Sequence, residues 1–200
     1  MSTAKRIVLI IASTRTPRVG PSIAEMVLGV LTPLLPTDHS LTLVDLVDHP
    51  LPLHTTEPMI PAGLPSSSPA YADVQTNTWS TLIRSFDGFI FLTAQYNWGY
   101  PAPLKLALDA LYHEWAAKPA CVVSYGGRGG GKAAGQLRQV LAGLHMRVCE
   151  RGVELAFAKG HDVAGGELKE ETHERWRVEN KKEELEAAWM ELVQLLAKDS

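Results

Sequence analysis

Three short segments of the chain carry residue types that could bind a polar ligand. The first, residues 13–22, reads Ser-Thr-Arg-Thr-Pro-Arg-Val-Gly-Pro-Ser and leads into a helical pattern. Free backbone N–H groups at a helix N-terminus and the fork of an arginine both favour a phosphate group. The segment lacks the G-x-G-x-x-G pattern of a dinucleotide site. It therefore predicts a site for a terminal monophosphate, with a capped helix and two solvated arginines as the alternative.

The second segment, residues 94–103, reads Ala-Gln-Tyr-Asn-Trp-Gly-Tyr-Pro-Ala-Pro. Its prolines and glycine restrict the backbone to a few shapes. Its three aromatic rings and two side-chain amides offer stacking area and hydrogen bonds, which a flat polar heterocycle requires. An aromatic cluster that packs the top of the core, or a subunit interface, is the alternative.

The third segment, residues 126–132, reads Gly-Gly-Arg-Gly-Gly-Gly-Lys. Because it has so few side chains, its backbone could approach a ligand closely. It also matches the G-x-x-x-x-G-K pattern of nucleoside triphosphate sites. Ala133 stands where that pattern needs a Ser or Thr hydroxyl for magnesium. We therefore do not predict a triphosphate site, and the seven histidines show no metal-ligand spacing.

Alternating strand and helix patterns position these segments. Apolar runs without strict alternation predict parallel strands, buried on both faces, at residues 6–12, 41–47, 88–93 and 120–125, with a weaker strand within 147–157. Helical periodicity predicts helices at residues 22–31, 71–86, 103–117, 132–144 and 172–197. This order is typical of an α/β doubly wound five-stranded parallel sheet with helices on both faces. Ligands bind such sheets at the carboxyl ends of the strands, where all three segments fall.

Composition limits the classes of function. The 200 residues suit a single domain spanning residues 1–200. A net charge of −3 gives no basic surface for nucleic acid or for a membrane. No apolar run reaches the roughly 18 to 20 residues that a membrane span needs. Cys121 and Cys149 lie in apolar runs, which predicts two packed, reduced thiols in a cytoplasmic protein.

Taken together, the three segments resemble the NADPH-dependent FMN reductase family. That flavodoxin-like group includes quinone, azo-dye and chromate reductases, and the resemblance is strongest to its fungal and plant quinone-reductase-like members. The residues that carry it are Ser13-x-Arg15-x-x-Arg18-x-Gly20, then residues 95–101 with Leu104-Lys105 and Ala107-Leu108-Asp109, then Ser124-Tyr125-Gly126-Gly127 leading into residues 130–134. The sequence departs from the family at Ala12, Ala94 and Leu106, where Gly, Pro and Asn are common.

The resemblance implies a sheet order of 2-1-3-4-5 and assigns roles to individual residues. Contacts to the FMN phosphate fall on Ser13, Arg15 and Ser22, with Arg18 nearby. Contacts to the ring and the ribityl chain fall on Gln95, Tyr96, Asn97 and Trp98. Contacts to the pyrimidine edge fall on Gly126 and Gly127, with Ser124 or Arg128 adjacent. The resemblance implies no catalytic side chain and no metal.

The implied activity is hydride transfer from NADPH or NADH to bound FMN, followed by two-electron transfer to a quinone or similar acceptor in a ping-pong scheme. The loop at residues 50–69 and the Trp98/Tyr100 region are candidates for the second wall of the pocket.

Family analogy implies a homodimer or homotetramer, with the helix end at residues 111–115 as a candidate interface. His113 and Glu114 are expected to be exposed or interfacial there. Two alternatives stay open, a non-catalytic flavodoxin-like electron carrier and a redox-regulated interaction protein. The sequence also leaves open whether FMN is a resident group or an exchanging substrate.

Overall fold

The computed structural model describes residues 4–55, 57–67, 70–160 and 165–198. Within them, one parallel sheet runs in the order β2-β1-β3-β4-β5, and β6 pairs with β4 beside β5. The strands are β1 (Arg6–Ile11), β2 (Ser40–Asp45), β3 (Gly88–Ala94), β4 (Pro119–Gly126), β5 (Arg147–Val148) and β6 (Val153–Ala156). The predicted doubly wound sheet and its order are confirmed.

Six helices cover the two faces of the sheet in the described part of the chain. They are α1 (Gly20–Leu31), α2 (Val74–Arg84), α3 (Ala102–Asp109), α4 (Gly131–Gly143), α5 (Glu170–Val178) and α6 (Lys181–Ala197). Successive residues of β1 point to opposite faces, so Ile7 packs with α1, α5 and α6 while Val8 packs with α2, α3 and α4. Both faces are buried, which explains why the central strands are mostly apolar and do not alternate between apolar and polar residues.

The predicted fifth strand is divided into two. β5 pairs with the start of β4 and β6 with its end. Between them, side chains replace the neighbouring strand as hydrogen-bond partners. The Glu191 carboxylate accepts from the backbone N–H groups of Glu150, at 2.6 Å, and Arg151, at 2.9 Å, while Arg138 donates to the Glu150 carbonyl at 2.5 Å. These polar contacts offset the lost ladder bonds.

The predicted helix at residues 103–117 is correct only in its first half, because α3 ends at Asp109. The chain then turns so that Glu114 enters the interior, where the side chain is 2% exposed. Its carboxylate accepts from the Tyr71 hydroxyl at 3.0 Å and the Ser80 hydroxyl at 2.5 Å. Trp115 is fully buried beside Phe89. The expectation of an exposed or interfacial Glu114 is therefore wrong, and much of residues 111–115 packs in the chain's own core.

The last predicted helix, residues 172–197, is two helices. α5 ends at Val178, and Asn180 adopts a left-handed conformation with φ of 55° before α6 begins. Asparagine tolerates this conformation better than most residues. The bend lets Trp176 donate from its indole N–H to the Ala156 carbonyl at 2.7 Å while α6 packs along the sheet.

The helix predicted at residues 71–86 is also too long, because Asp73 caps the start of α2 by accepting from the Thr76 N–H at 2.9 Å.

Candidate functional site

The carboxyl ends of β1, β3 and β4 surround a cavity of about 320 Å³. All three sequence segments contribute to its walls, as predicted from the position of the segments after these strands. The lining residues are Arg15, Pro17, Arg18, Val19, Ala94, Gln95, Tyr96, Tyr125, Gly126, Gly127 and Phe157. The cavity therefore combines the positive charge of arginine, the aromatic rings of tyrosine and phenylalanine, and glycine backbone without side chains.

The two arginines of the β1–α1 loop have different environments. Arg15 is exposed and its guanidinium carbon lies 4.4 Å from the centroid of the Tyr96 ring, a cation–π distance. Arg18 makes a two-pronged ion pair with Asp45 at 2.9 and 2.5 Å and donates to the Ser13 carbonyl at 2.6 Å. The hydrogen bonds to Asp45 raise the pKa of Arg18 above its ordinary value. Arg18 thus fastens the loop to the end of β2, while the charge of Arg15 faces the cavity.

Ser13 and Ser22 lie outside the cavity lining. Ser13 is fully buried beneath the loop. Ser22 lies in the first turn of α1, whose N-cap residue is Val19, and no side chain caps that helix start. The alternative of a helix start capped by a serine or threonine side chain is therefore wrong. The backbone N–H groups in the first turn of α1 lie at the same end of the sheet as Arg15.

The aromatic segment forms a tight turn. Tyr96 and Gly99 exchange two backbone hydrogen bonds, at 2.8 and 3.0 Å. The central residues, Asn97 and Trp98, have φ of 47° and 73°. Two consecutive positive φ values are typical of a type I′ turn, and for tryptophan the conformation is strained. Trp98 is 61% exposed, and the Lys132 ammonium lies 5.8 Å from the centroid of its ring.

Gln95 joins the second segment to the third. Its side-chain oxygen accepts from the N–H groups of Lys132, at 3.1 Å, and Ala133, at 3.3 Å, at the start of α4. Its backbone N–H donates to the Tyr125 carbonyl at 3.1 Å. In a P-loop such helix-start donors would bind phosphate. Here the side-chain oxygen of Gln95 occupies two of them.

The glycine-rich loop at residues 126–132 is supported by a hydrogen bond from Ser124 and by close packing at Gly130. Ser124 is fully buried and its hydroxyl donates to the Gly129 carbonyl at 2.8 Å, so it supports the loop and does not line the cavity. Gly130 has φ of 85°, and a Cβ there would lie 2.9 Å from both the backbone N and O of Tyr125. Only glycine fits that position. The side chain of Arg128 is exposed and lies outside the lining.

Half of the predicted site residues line the cavity: Arg15, Arg18, Gln95, Tyr96, Gly126 and Gly127. Sequence reasoning missed Asp45, Tyr125 and Phe157 as parts of the site. Phe157 follows β6 directly, and its backbone N–H donates to the Gly126 carbonyl at 3.0 Å. Its place after a strand was the only signal in the sequence, and that strand was the weakest of the five.

Three further features of the described residues concern metal ligands, membrane spans and thiols. Among the described residues, no group of three or more His, Cys, Asp or Glu side chains is placed to hold a metal ion. None of the helices in the same part of the chain has the length and apolarity needed to cross a membrane. Cys121 and Cys149 are both free thiols and buried, as predicted.

The residues present fit a flavin mononucleotide. The exposed guanidinium of Arg15 and the uncapped start of α1 suit a phosphate group. The aromatic turn and bare glycine backbone suit the edge and face of a flat ring. The sheet order is that of flavodoxin, which binds FMN at this switch point. Fold and site together define a flavodoxin-like flavin-binding protein.

Comparison with known proteins identifies the family. Residues 5–162 match the model for the NADPH-dependent FMN reductase family, so the chain belongs to that family. The NAD(P)H-dependent FMN reductase LOT6 of Saccharomyces cerevisiae is 46% identical over 144 residues, covering 70% of this chain and 75% of the yeast protein. A probable NADPH:quinone oxidoreductase 1 of rice is 33% identical over 142 residues, covering 68% and 66%. The Paracoccus denitrificans flavoenzyme FerB, an NAD(P)H:(acceptor) oxidoreductase, shares the fold with a TM-score of 0.61 and 18% identity, over 92% of this chain and 98% of FerB.

Proposed function

We propose that this protein is an FMN-dependent NAD(P)H oxidoreductase whose acceptor is a quinone or a similar small molecule. The observation that carries the proposal is the meeting of Arg15, Tyr96 and the Gly126–Gly127 backbone in one cavity at the sheet's switch point. Relatives named as FMN reductases and quinone oxidoreductases support this reading. When bound, FMN supplies the redox chemistry, because it can accept a hydride from NAD(P)H and pass two electrons to an acceptor.

The protein's part in this chemistry is to hold the ring and leave one face open. Tyr96 and Gln95 border the ring site, while Gly127 lines it without a side chain, and nothing lies within 4 Å of where a Cβ would stand. Backbone N–H groups of Gly126 and Gly127 suit the stabilisation of negative charge on the pyrimidine edge. Asn97, Trp98, Ser124 and Arg128 support or border the same loops. We assign no nucleophile and no obligatory general acid.

One cavity must serve both co-substrates, which favours a ping-pong order. The oxidised nicotinamide would leave before the acceptor enters, and the net reaction converts NAD(P)H, a proton and a quinone into NAD(P)⁺ and a hydroquinone. Steady-state rates measured while both substrates are varied test this order. Parallel double-reciprocal lines are expected, and intersecting lines would contradict it. Running the series with NADPH and with NADH also gives the nicotinamide preference.

We further propose that the protein is a cytoplasmic homodimer or homotetramer. Two buried free thiols suit a reducing compartment. An apolar groove of about 570 Å³ lies between residues 52–55 and 57–61 on one side and α3 on the other, and it shares no lining residue with the flavin cavity. Leu53 and Ile60 on its rim are 79% and 73% exposed. Exposed apolar surface of this kind is typical of subunit interfaces.

The loop at residues 50–69 was predicted as a candidate second wall of the flavin pocket. Residues 56, 68 and 69 of this loop lie outside the described residues.

A further inference from the structure

Two exposed cations border the flavin cavity on the side of the glycine-rich loop. Arg128 directly follows Gly127, which lines the cavity, and the backbone N–H of Lys132 donates to the side chain of Gln95, another lining residue. Both cationic side chains are exposed. In the described part of the chain, neither of them forms an ion pair. Their charges are therefore available to an anion that lies over this loop.

One carboxylate also packs against the loop. A Cβ at Gly131 would lie 2.6 Å from both carboxylate oxygens of Glu154. Glu154 is exposed and forms no ion pair with Arg128 or Lys132 within the described ranges. Two cations and one carboxylate leave a net positive charge around the loop, although the whole chain carries a net charge of −3.

An exposed aromatic ring lies beside these cations. Trp98 is 61% exposed and is not among the residues that line the flavin cavity. Its φ of 73° is strained for a residue with a large side chain, and strain of this kind is concentrated at functional sites. The Lys132 ammonium lies 5.8 Å from the ring centroid, so the ring and the cation belong to one surface. An exposed tryptophan face is a stacking surface for a nucleotide base.

The electron donor of the proposed reaction has the chemistry that matches this surface. Its nicotinamide must reach the flavin ring in the cavity, so its adenosine end must lie outside the cavity. Adenine offers a flat face for stacking, and a phosphate monoester such as the 2′-phosphate of NADPH carries a charge of about −1.5 to −2. In dinucleotide sites an arginine accommodates this phosphate, whereas a carboxylate binds the free 2′-hydroxyl of NADH.

We propose that Trp98, Arg128 and Lys132 form a subsite for the adenosine 2′-phosphate end of NADPH and make the protein prefer NADPH to NADH. The inference rests on the proposed function and adds to it the identity of the electron donor and the residues that select it. Trp98 stacks on the adenine that both nucleotides have. Arg128 and Lys132 contact the phosphate that only NADPH has.

Adenosine 2′,5′-bisphosphate and adenosine 5′-monophosphate test the subsite, because they differ only in the 2′-phosphate. Their dissociation constants are measured by titration calorimetry on the FMN-loaded protein. We expect the wild type to bind the bisphosphate more tightly. Arg128→Ala and Lys132→Ala should each weaken the bisphosphate about fivefold, as for an exposed ion pair, and leave the monophosphate unchanged. Lys5→Ala is the matched control, since Lys5 precedes β1 at the opposite end of the sheet from the cavity.

Two further variants separate stacking from charge. Trp98→Asn removes the ring and keeps the turn, because asparagine adopts a positive φ more readily than most residues. It should weaken both adenosine phosphates by the same factor, about tenfold, and leave the dissociation constant of FMN unchanged. Glu154→Gln removes the carboxylate from the loop and should strengthen binding of the bisphosphate alone.

Anaerobic reduction of the bound flavin connects the subsite with the reaction. Arg128→Ala and Lys132→Ala should lower the apparent affinity for NADPH and leave that for NADH unchanged, with the absorbance of oxidised FMN as the signal.

A wild type that binds the two adenosine phosphates equally would overturn the proposal, as would unchanged bisphosphate binding in both cation variants. Loss of FMN affinity in Trp98→Asn, with adenosine phosphate binding intact, would assign the ring to the flavin instead. A wild type whose flavin neither NADPH nor NADH reduces would contradict the proposed function itself. The failures of the two proposals are therefore distinguishable.

Discussion

Burial separates the roles of two arginines that look equivalent in the sequence. Arg15 and Arg18 are three residues apart in one loop, and both were predicted to belong to the phosphate site, Arg15 in contact and Arg18 nearby. The Arg18 side chain is 17% exposed and is paired with Asp45, whose side chain is 16% exposed. Arg15 is exposed over Tyr96. One arginine therefore stabilises the loop, and the other can supply charge to a ligand.

Replacement of the two arginines should affect different properties of the protein. Arg15→Ala should weaken FMN binding about tenfold and change the urea midpoint little, because it removes an exposed charge and one cation–π contact. Arg18→Ala leaves Asp45 without its partner in a mostly buried place and should lower the free energy of unfolding by about 1–3 kcal/mol. Equilibrium unfolding in urea and flavin titration measure the two effects. Equal effects of both variants on stability would contradict the assignment.

Burial of Lys118 should make the free energy of unfolding depend on pH. Its ammonium is largely buried, donates to the Ile83 carbonyl at 2.9 Å, and has its pKa lowered by burial to about 8. In the unfolded chain the pKa returns to about 10.4. Between these values the unfolded state binds more protons, so Lys118 makes stability rise as pH increases.

Comparison with Lys118→Met isolates this contribution from the other titrating groups. Burial of Tyr125 raises its pKa to about 12, and the buried Cys149 thiol beside Cys121 also has a raised pKa, so these two groups act in the opposite direction. The wild-type free energy of unfolding minus that of Lys118→Met should increase from pH 7.5 to pH 10, roughly the interval between the two lysine pKa values. A difference that does not vary with pH would show that Lys118 has an ordinary pKa in the folded state.

At the scale of elements, helix α4 depends on a side chain from another loop. Gln95 accepts from two N–H groups at its start, and without Gln95 those donors would lack this partner. Gln95→Leu should therefore lower the free energy of unfolding by about 1–2 kcal/mol and loosen the glycine loop. Gln95→Glu keeps the acceptor and adds a negative charge at a helix N-terminus, which is favourable. Thermal unfolding should rank Gln95→Glu at or above the wild type and Gln95→Leu below it; the reverse order would contradict the cap.

The elements themselves were largely predictable, because apolar runs and helical periodicity reflect burial on each face of the sheet. Two of the errors occur where polar side chains make tertiary contacts. Beyond the end of the third helix, Glu114 is buried against Tyr71 and Ser80, which are distant in sequence. Glu191 divides the fifth strand from 40 residues away in the chain. Local patterns contain no record of such partners, so they could not set these boundaries.

The position of the site could also be predicted from the sequence, whereas the roles of Tyr125 and Asp45 could not. Strand ends and glycine-rich or aromatic loops locate it, since these features follow from local sequence. Tyr125 was treated as part of a strand motif, because only the fold brings its hydroxyl beside Ser13 and Gly20. Asp45 lies at the end of β2, and its pairing with Arg18 likewise depends on the order of the strands.

At the scale of the whole molecule, the exposed apolar groove predicts self-association. Light scattering after size exclusion should give two or four times the chain mass of 21.8 kDa. Ile60→Asp, on the groove rim, should shift the mass toward one chain, because a charge buried in an interface is costly. Val178→Asp is the control, since Val178 is 72% exposed on α5 and outside the groove. A wild type of one chain mass, or equal effects of both variants, would contradict an interface at the groove.

We propose that this chain holds FMN in its strand-end cavity and uses it to pass two electrons from NAD(P)H to an acceptor. An absorbance spectrum of the protein mixed with FMN and desalted, followed by anaerobic NADPH and then a quinone, tests this directly. We expect visible flavin absorbance that survives desalting, that NADPH bleaches and that the quinone restores. Loss of FMN on desalting, with turnover of free FMN intact, would replace a resident cofactor by an exchanging one. No binding and no turnover would contradict the account and leave the three loops with structural roles alone.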